Sequence, residues 1–209
     1  MKRAIIFDLD MCILNTHSLS GPFLQPVLDA LAETDLSIEI KDGINQHLWT
    51  TSLEDIVNLF SLSAEIAESL RASYRQMEVP DGIKTYGDEN CLRNLPVTRI
   101  LVTSGYRKFQ ETKIQKLGIA DLFEEIIIDA LDYPAERKGK QLIFQDFLLR
   151  FELKPDEVLV VGDNPYSELR AGRALQIPTV QTLRPTIERW DLADYHIESL
   201  TELAKIIAN

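Results

Sequence analysis

The sequence predicts an α/β protein in which helices cover a parallel β-sheet on both faces, with a small helical domain inserted after the first strand. Short apolar runs recur along the 209 residues, and each is followed by a turn and a segment of helical periodicity, which is typical of βα units. Between the first and the second apolar run this rhythm breaks, and the residues there show helical stripes without a buried strand. That stretch is too long for a simple crossover and therefore indicates an inserted domain.

Five segments are predicted as strands because their residues are nearly all apolar, as a sheet buried on both faces requires. They are Ala4–Phe7, Arg99–Val102, Glu125–Ile128, Val158–Val161 and Thr179–Gln181. Helices are predicted where apolar residues recur three and four positions apart. Such stripes run through Phe109, the aliphatic stem of Lys113 and Leu117, through Leu142–Phe151, and through Leu200–Ile207.

The inserted domain contains three further helical stripes, at Phe23–Leu31, Leu53–Phe60 and Ile66–Met77. Turn-forming residues cluster near 15–20 and 79–82, where the insertion should begin and end. We therefore predict a core domain formed by residues 1–15 and 86–209 and a helical domain formed by residues 16–85.

The charge and the cysteine content narrow the class of partner. With 22 Lys and Arg against 33 Asp and Glu, the net charge is −11, and no basic stripe stands out, so binding to nucleic acid or to an anionic membrane is not expected. Cys12 and Cys91 form no metal or disulfide pattern and are predicted to be reduced thiols in the cytoplasm.

The first apolar run ends at Asp8, too early for a signal peptide, and no run approaches the ~20 residues of a membrane helix.

Polar residues follow three of the predicted strands at the point where each strand ends. The first strand is followed by Asp8-Leu9-Asp10, the second by Thr103-Ser104-Gly105 and the fourth by Gly162-Asp163-Asn164. Open parallel sheets bind ligands beyond the carboxyl ends of their strands, where the winding direction reverses. If the first strand is central, these three segments converge on one crevice.

Acidic residues dominate this predicted crevice. Residues two apart in an extended chain point the same way, so Asp8 and Asp10 can face one ligand, and Asp163 adds a third carboxylate. Close carboxylates repel each other unless a cation or a proton compensates, and an all-oxygen set favours a hard cation such as Mg²⁺. Glu168, near the start of the next helix, could hold a metal-bound water. A single Asp at a strand end is usually a turn or cap residue, but the joint placement favours the metal.

A phosphoryl group beside three carboxylates needs positive charge beyond one divalent ion. The run Arg137-Lys138-Gly139-Lys140 lies between the third strand and the next helix and could supply it, although a short basic run is often a solvated loop. The hydroxyl of Thr103 and the backbone amides of Ser104 and Gly105 could bind the same oxygens.

Taken in order, these motifs resemble those of the haloacid dehalogenase (HAD) superfamily, and in particular its phosphatases with a helical cap after the first strand, such as phosphoglycolate phosphatase. The resemblance implies a three-layer, Rossmann-like core. The matching segments are IIFDLDMCILNT at 5–16, ILVTSG at 100–105, Lys138 six residues before Phe144, and VLVVGDNPYSELRAG at 158–172.

The resemblance also implies a role for each residue. Asp8 would be the nucleophile that forms an aspartyl-phosphate, and Asp10 would be the general acid and then the general base. Mg²⁺ would be held by the Asp8 carboxylate, the Asp10 carbonyl and Asp163. The phosphoryl oxygens would be bound by Thr103, Ser104 and Lys138, with Lys140 as a rival to Lys138.

This chain departs from the family pattern in two places. The first motif usually continues with Gly-Thr, where this sequence has Met11-Cys12. We expect Cys12 to pack or cap the turn without loss of activity, and Met11 to narrow the entrance or alter the hinge of the cap. In the last motif the later acid is Glu168 instead of the commoner Asp, with Ser167 at an alternative position for that acid.

The leading hypothesis is a Mg²⁺-dependent phosphomonoester hydrolase that acts on a small phosphorylated metabolite. Two alternatives remain: a phosphomutase with the same intermediate, and a binding protein that keeps the fold without the chemistry. Asp10 argues against a dehalogenase, because the dehalogenases of this superfamily lack that acid. The sequence does not choose among phosphoglycolate, sugar phosphates and nucleoside monophosphates, and it does not indicate the oligomeric state.

Overall fold

The structure, a computed structural model, describes residues 1–19, 22–48 and 51–208. The chain groups into two compact units, one formed by Met1–Ser18 with Asp81–Asn209 and the other by Leu19–Pro80. These limits lie a few residues inside the domain limits expected from the sequence, 16–85. That division into a core domain and a helical domain stays a prediction.

Leu19–Pro80 is helical in the part that the structure describes. It contains α1 (Gln25–Ala32), α2 (Ile38–His47), α3 (Leu53–Leu59) and α4 (Ala64–Gln76). The side chains of Ser37, Ser52 and Ser63 cap the last three of these helices by accepting a backbone N–H of the first turn. The sequence pattern does not reveal α2, because within it Ile44 is buried while Ile38 is largely exposed.

The larger unit is built on a parallel sheet, in which six strands lie among the described residues, in the order β3-β2-β1-β4-β5-β6. The strands are β1 (Ala4–Phe7), β2 (Thr98–Gly105), β3 (Glu125–Ala130), β4 (Val158–Gly162), β5 (Thr179–Thr182) and β6 (Tyr195–Ile197). Its remaining helices are α5 (Arg107–Leu117), α6 (Lys140–Arg150), α7 (Glu168–Ala174) and α8 (Leu203–Ala208). The predicted fold class, a parallel sheet flanked by helices, is confirmed.

The central position of β1 decides where the site lies. Phe7 is in register with Leu101 of β2 on one side and with Val161 of β4 on the other. The residues that follow these three strands therefore emerge at the same edge of the sheet. All four residues of β1 are buried, as expected for a strand covered on both faces.

A shared apolar cluster attaches α6 and α7 to the sheet. Phe144 and Phe147 of α6 and Ala171 of α7 are buried with Ile6 of β1 and Val160 of β4. This packing fixes the starts of both helices beneath the carboxyl ends of the strands.

The sequence pattern does not predict β6. Its three residues, Tyr195–Ile197, form a short edge strand in which Ile197 is buried and Tyr195 is exposed. So short a segment contains no apolar run. It joins the sheet through its pairing with β5. Among the described helices, none has the length and apolar character needed to cross a membrane.

Candidate active site

Three carboxylates meet at the carboxyl edge of the sheet. Asp8 follows β1, Asp163 follows β4, and Glu168 begins α7. Each contributes one carboxylate oxygen to a group of three that lie within 4.8 Å of one another. Asp8 and Glu168 are buried, with 7% and 1% of their surfaces exposed. The adjacency of β1 and β4 thus brings together residues that are far apart in the sequence.

Lys140 supplies the positive charge of this cluster. Its Nζ donates to Asp8 Oδ1 and to Glu168 Oε2, each at 2.8 Å, and the side chain is 7% exposed. Burial alone would lower the pKa of Lys140, but the charges of Asp8 and Glu168 outweigh it and raise that pKa above its ordinary value. The second oxygen of Glu168 accepts the N–H of Asn164 at 2.7 Å.

Gly162 makes room for this arrangement. A Cβ on Gly162 would overlap the carboxylate of Glu168, which lies against the end of β4. The glycine of the fourth motif is therefore required so that Glu168 can reach Lys140 and the amide of Asn164.

The structure does not bring the side chain of Lys138 into this cluster. The side chain of Lys138 is exposed, whereas the rival candidate Lys140 is buried against Asp8. The turn explains the difference, because the amides of Lys138 and Gly139 donate to Asp129 Oδ1 at 3.0 and 3.1 Å. Gly139 then adopts a positive φ of 80°, and α6 begins at Lys140 with its side chain toward the carboxylates.

The electrostatics of the cluster favour a bound cation. Burial, followed by the charges of Glu168 and Asp8, raises the pKa of Asp163 to about 9. Burial is also the main cause that raises the pKa of Asp8 to about 7, against the opposing charge of Lys140. Among the described residues, no hydrogen-bond donor contacts the carboxylate of Asp163, so its oxygens are available as ligands. The residues present therefore fit a hard divalent cation held by oxygen.

Asp10 lies beside this cluster but has partners of its own. Lys113 Nζ donates to its two carboxylate oxygens at 2.8 and 3.0 Å, Gln110 Nε2 to Oδ2 at 3.2 Å, and Thr16 Oγ1 to Oδ1 at 3.2 Å. Burial pushes the pKa of Asp10 upward, but Lys113 and the hydrogen bonds outweigh it, and the pKa falls below its ordinary value. Asp8 and Asp10 therefore differ in environment although they are two residues apart.

Gln110 connects Asp10 to the end of β2. The same Nε2 that contacts Asp10 also donates to Thr103 Oγ1 at 3.0 Å and to the carbonyl of Ser104 at 2.8 Å. Thr103 is buried and Ser104 is half-buried, at the edge where the three carboxylates meet. Gln110 thus links Thr103 and Ser104 to Asp10 at this edge of the sheet.

Sequence reasoning missed Gln110 and Lys113 as site residues. It counted Lys113 in an apolar helical stripe because of its aliphatic stem, and that stem is indeed buried. Both residues are polar, lie three positions apart and fall on the buried face of α5. Polar residues on a buried helix face indicate partners inside the protein, and this pattern could have identified them.

Met11 and Cys12 mark the departure from the family pattern. Met11 has a φ of 54°, in the left-handed region that glycine adopts freely, and its N–H donates to Thr16 Oγ1 at 3.0 Å. Cys12 is fully buried, which raises the pKa of its thiol, and Sγ lies 3.8 Å from the carbonyl of Val161. This agrees with the expectation that Cys12 packs within the turn.

Comparisons with known proteins place this geometry in context. A family profile described as haloacid dehalogenase-like hydrolase matches residues 5–182. A curated relative, glyceraldehyde 3-phosphate phosphatase of Pyrococcus abyssi, is 33% identical over 100% of this chain and 95% of its own. The crystal structure of a HAD phosphatase from Thermococcus onnurineus is similar with a TM-score of 0.65 and 25% identity, over 98% of this chain and 97% of that one.

A magnesium-bound HAD-hydrolase from Bacillus subtilis gives a TM-score of 0.72 over 100% of this chain and 99% of that one. At 19% identity, this likeness concerns the fold alone. The similarity to each of these three proteins extends over nearly the whole of both chains.

Proposed function

Because this chain belongs to the haloacid dehalogenase-like hydrolase family, we propose that it is a Mg²⁺-dependent phosphomonoester hydrolase that works through an aspartyl-phosphate. The observation that carries the proposal is the environment of Asp8. Its buried carboxylate lies beside Lys140 and two further carboxylates, at an edge that Asp10 and Thr103 also reach. A cluster of this kind can hold a phosphoryl group against a carboxylate nucleophile.

In the first step an oxygen of Asp8 attacks phosphorus, and the bond between phosphorus and the ester oxygen breaks. The leaving oxygen takes a proton from Asp10. In the second step water attacks the phosphorus of the aspartyl-phosphate, Asp10 accepts the proton of that water, and phosphate leaves with Asp8 restored. Proton transfer by a positioned side chain typically contributes ~10²–10⁴ in rate.

The lowered pKa of Asp10 suits the second step, in which it accepts a proton. For the first step Asp10 must carry a proton. A phosphate monoester dianion placed beside it adds negative charge, and negative charge raises the pKa of a neighbouring carboxyl. Substrate binding therefore favours the protonated form of Asp10.

Three groups bind the phosphoryl oxygens in this proposal. The hydroxyl of Thr103 and the backbone at Ser104 approach from β2, and Lys140 approaches from the start of α6 in the role first assigned to Lys138. Donors fixed in a water-poor site stabilise developing charge more than the same donors would in water. The burial of Thr103 and Lys140 supports this assignment.

The metal belongs to the same proposal. Asp8, Asp163 and the carbonyl of Asp10 would hold Mg²⁺, with Glu168 acting through a water, because both oxygens of Glu168 already have partners in the protein. When bound, the ion supplies positive charge that offsets the repulsion between the nucleophile and the phosphoryl oxygens.

A small sugar phosphate is the proposed substrate class. The relative from Pyrococcus abyssi is named glyceraldehyde 3-phosphate phosphatase, which makes glyceraldehyde 3-phosphate the first compound to test. The net charge of −11 argues against nucleic-acid or anionic-membrane partners. The free thiols of Cys12 and Cys91 support a reducing compartment such as the cytoplasm.

The test measures phosphate release from glyceraldehyde 3-phosphate, phosphoglycolate, a nucleoside monophosphate and p-nitrophenyl phosphate, with Mg²⁺ and with EDTA. Wild type is compared with Asp8→Asn and with Asp191→Asn, the same change at an exposed carboxylate. We expect Mg²⁺-dependent release by wild type and Asp191→Asn and none by Asp8→Asn. Movement of phosphate between two hydroxyls without release would identify a mutase, and absence of turnover in a folded, Mg²⁺-binding protein would identify a binding protein; either result contradicts the proposal.

A further inference from the structure

We propose that Gln110 and Lys113 of α5 are positioning residues that hold Asp10 in place for proton transfer to the leaving oxygen. This inference rests on the proposed function and deepens it. It assigns a task to two buried polar side chains that the four family motifs do not include.

Lys113 is a buried lysine on α5. A lysine ammonium is rarely buried, because its loss of hydration is costly unless a partner compensates. The side chain of Lys113 is 6% exposed, and its Nζ contacts both oxygens of one carboxylate, that of Asp10. On a helix beside the sheet an apolar residue would fill this position at lower cost, so the lysine is explained by what it does for Asp10.

Gln110 adds a constraint of a different kind. Its Nε2 contacts Asp10, the Thr103 hydroxyl and the Ser104 carbonyl, and so it joins the proton-transfer residue to the phosphate-binding edge of β2. Gly105 leaves the space for it, because a Cβ there would lie 2.7 Å from Gln110 Nε2. The separation between the carboxylate of Asp10 and the phosphate-binding residues is therefore fixed through one side chain.

The spacing in the sequence explains how one helix supplies both contacts. Residues three apart lie on one face of a helix, and in α5 that face is turned toward Asp10. Asp10 itself lies beyond the end of β1, where the sheet no longer fixes the backbone. The donors from α5, together with the hydroxyl of Thr16, therefore restrict the rotation of the Asp10 side chain.

Positioning of this kind has a specific kinetic consequence. A general acid matters most when the leaving oxygen is strongly basic, as in an alkyl phosphate, and little when the leaving group is acidic, as p-nitrophenol is. A misplacement of ~1 Å can cost ~10² in rate. Loss of the contacts to Asp10 should therefore reduce the cleavage of alkyl phosphates far more than that of aryl phosphates.

The experiment compares kcat/KM for glyceraldehyde 3-phosphate and for p-nitrophenyl phosphate, because kcat/KM reports the steps up to the first cleavage. The variants are Lys113→Met, Lys113→Arg and Lys108→Met, the last being the same change at an exposed lysine of the same helix. For Lys113→Met we expect a loss of ~10² or more with the alkyl ester and of less than ~10 with the aryl ester. Lys113→Arg should recover part of the difference, and Lys108→Met should match wild type.

Equal losses with the two esters, or no loss with either, would overturn the inference while leaving the proposed function intact. A wild-type protein that cleaves neither ester would contradict the proposed function, and the inference with it. If Lys113→Met does not fold, Lys113→Gln gives the same comparison, because the shorter side chain loses its contact with Asp10 and leaves the contacts of Gln110 with Thr103 and Ser104 in place.

Discussion

Substitution of Lys138 and of Lys140 by methionine, each in a separate variant, should show which lysine acts in the site. In Lys140→Met, Asp8 and Glu168 lose a cation that lies 2.8 Å from each of them. At that distance, with an effective dielectric constant of ~20, each pair has a gross attraction of ~6 kcal/mol, most of which offsets the desolvation of the charges. Removing one partner of a buried ion pair usually costs ~3–5 kcal/mol of stability.

The effect on catalysis follows from the same contacts. Loss of one group that stabilises charge in the transition state typically costs ~10²–10³ in kcat, and we expect a loss of that size for Lys140→Met with saturating Mg²⁺. Lys138→Met should retain activity within about twofold, because its exposed side chain does not reach the carboxylates.

Two assays check this prediction. Urea denaturation in EDTA reports the stability, and phosphate release in Mg²⁺ reports the activity, for both variants beside wild type. If Lys138→Met abolished turnover while Lys140→Met left stability and activity unchanged, the assignment of Lys140 to the site would be refuted.

Two further predictions follow from other buried charges. Burial raises the pKa values of Asp8 and Asp163 in the metal-free folded protein to about 7 and about 9, so the folded state holds these protons more tightly than the unfolded state does. Stability should therefore fall as the pH rises above about 4, and the fall should end near 7 for Asp8 and near 9 for Asp163. Thermal denaturation in EDTA should show this decline, Mg²⁺ should reduce it, and a metal-free stability that rises over the same range would contradict the assignment. Arg184 is buried, pairs with Asp88 at 2.9 and 3.0 Å and donates to the carbonyl of Cys12. Arg184→Met should lose ~3–5 kcal/mol in urea denaturation, and a loss below ~1 kcal/mol would show that this pair does not stabilise the fold.

Much of the core followed from local patterns in the sequence. The strands were recognisable because a doubly covered sheet requires nearly continuous apolar runs, and Ala4–Phe7 agrees with β1 at both ends. The polar residues after β1, β2 and β4 could be grouped because parallel strands share a carboxyl edge. In contrast, β6 is a strand because it pairs with β5. The sequence of its three residues does not predict this pairing.

The sequence predicts where a residue lies when that residue directly follows a strand, as Asp8, Asp10, Thr103 and Asp163 do. The roles of these residues stay predictions. The choice between Lys138 and Lys140 depends on one turn, which is fixed by Asp129 accepting two amides and by the positive φ of Gly139. Neither feature can be read from a run of basic residues.

The contacts of α5 were harder to foresee for another reason. The periodicity of a helix does not distinguish a lysine from a leucine, because the aliphatic part of lysine can also cover apolar surface. The partner of Lys113 is Asp10, over a hundred residues earlier in the chain, and their meeting depends on the order of strands in the sheet. Tertiary structure was needed to find this contact.

In the proposed mechanism Asp8 carries the phosphoryl group during turnover. The most direct measurement is a rapid acid quench of the Mg²⁺-loaded enzyme with glyceraldehyde 3-phosphate, followed by mass spectrometry of the peptide that contains Asp8. We expect a phosphorylated Asp8 in wild type during turnover and none in Asp8→Asn. Phosphate release without any phosphorylated form of that peptide, or with the phosphoryl group on another residue, would contradict this mechanism.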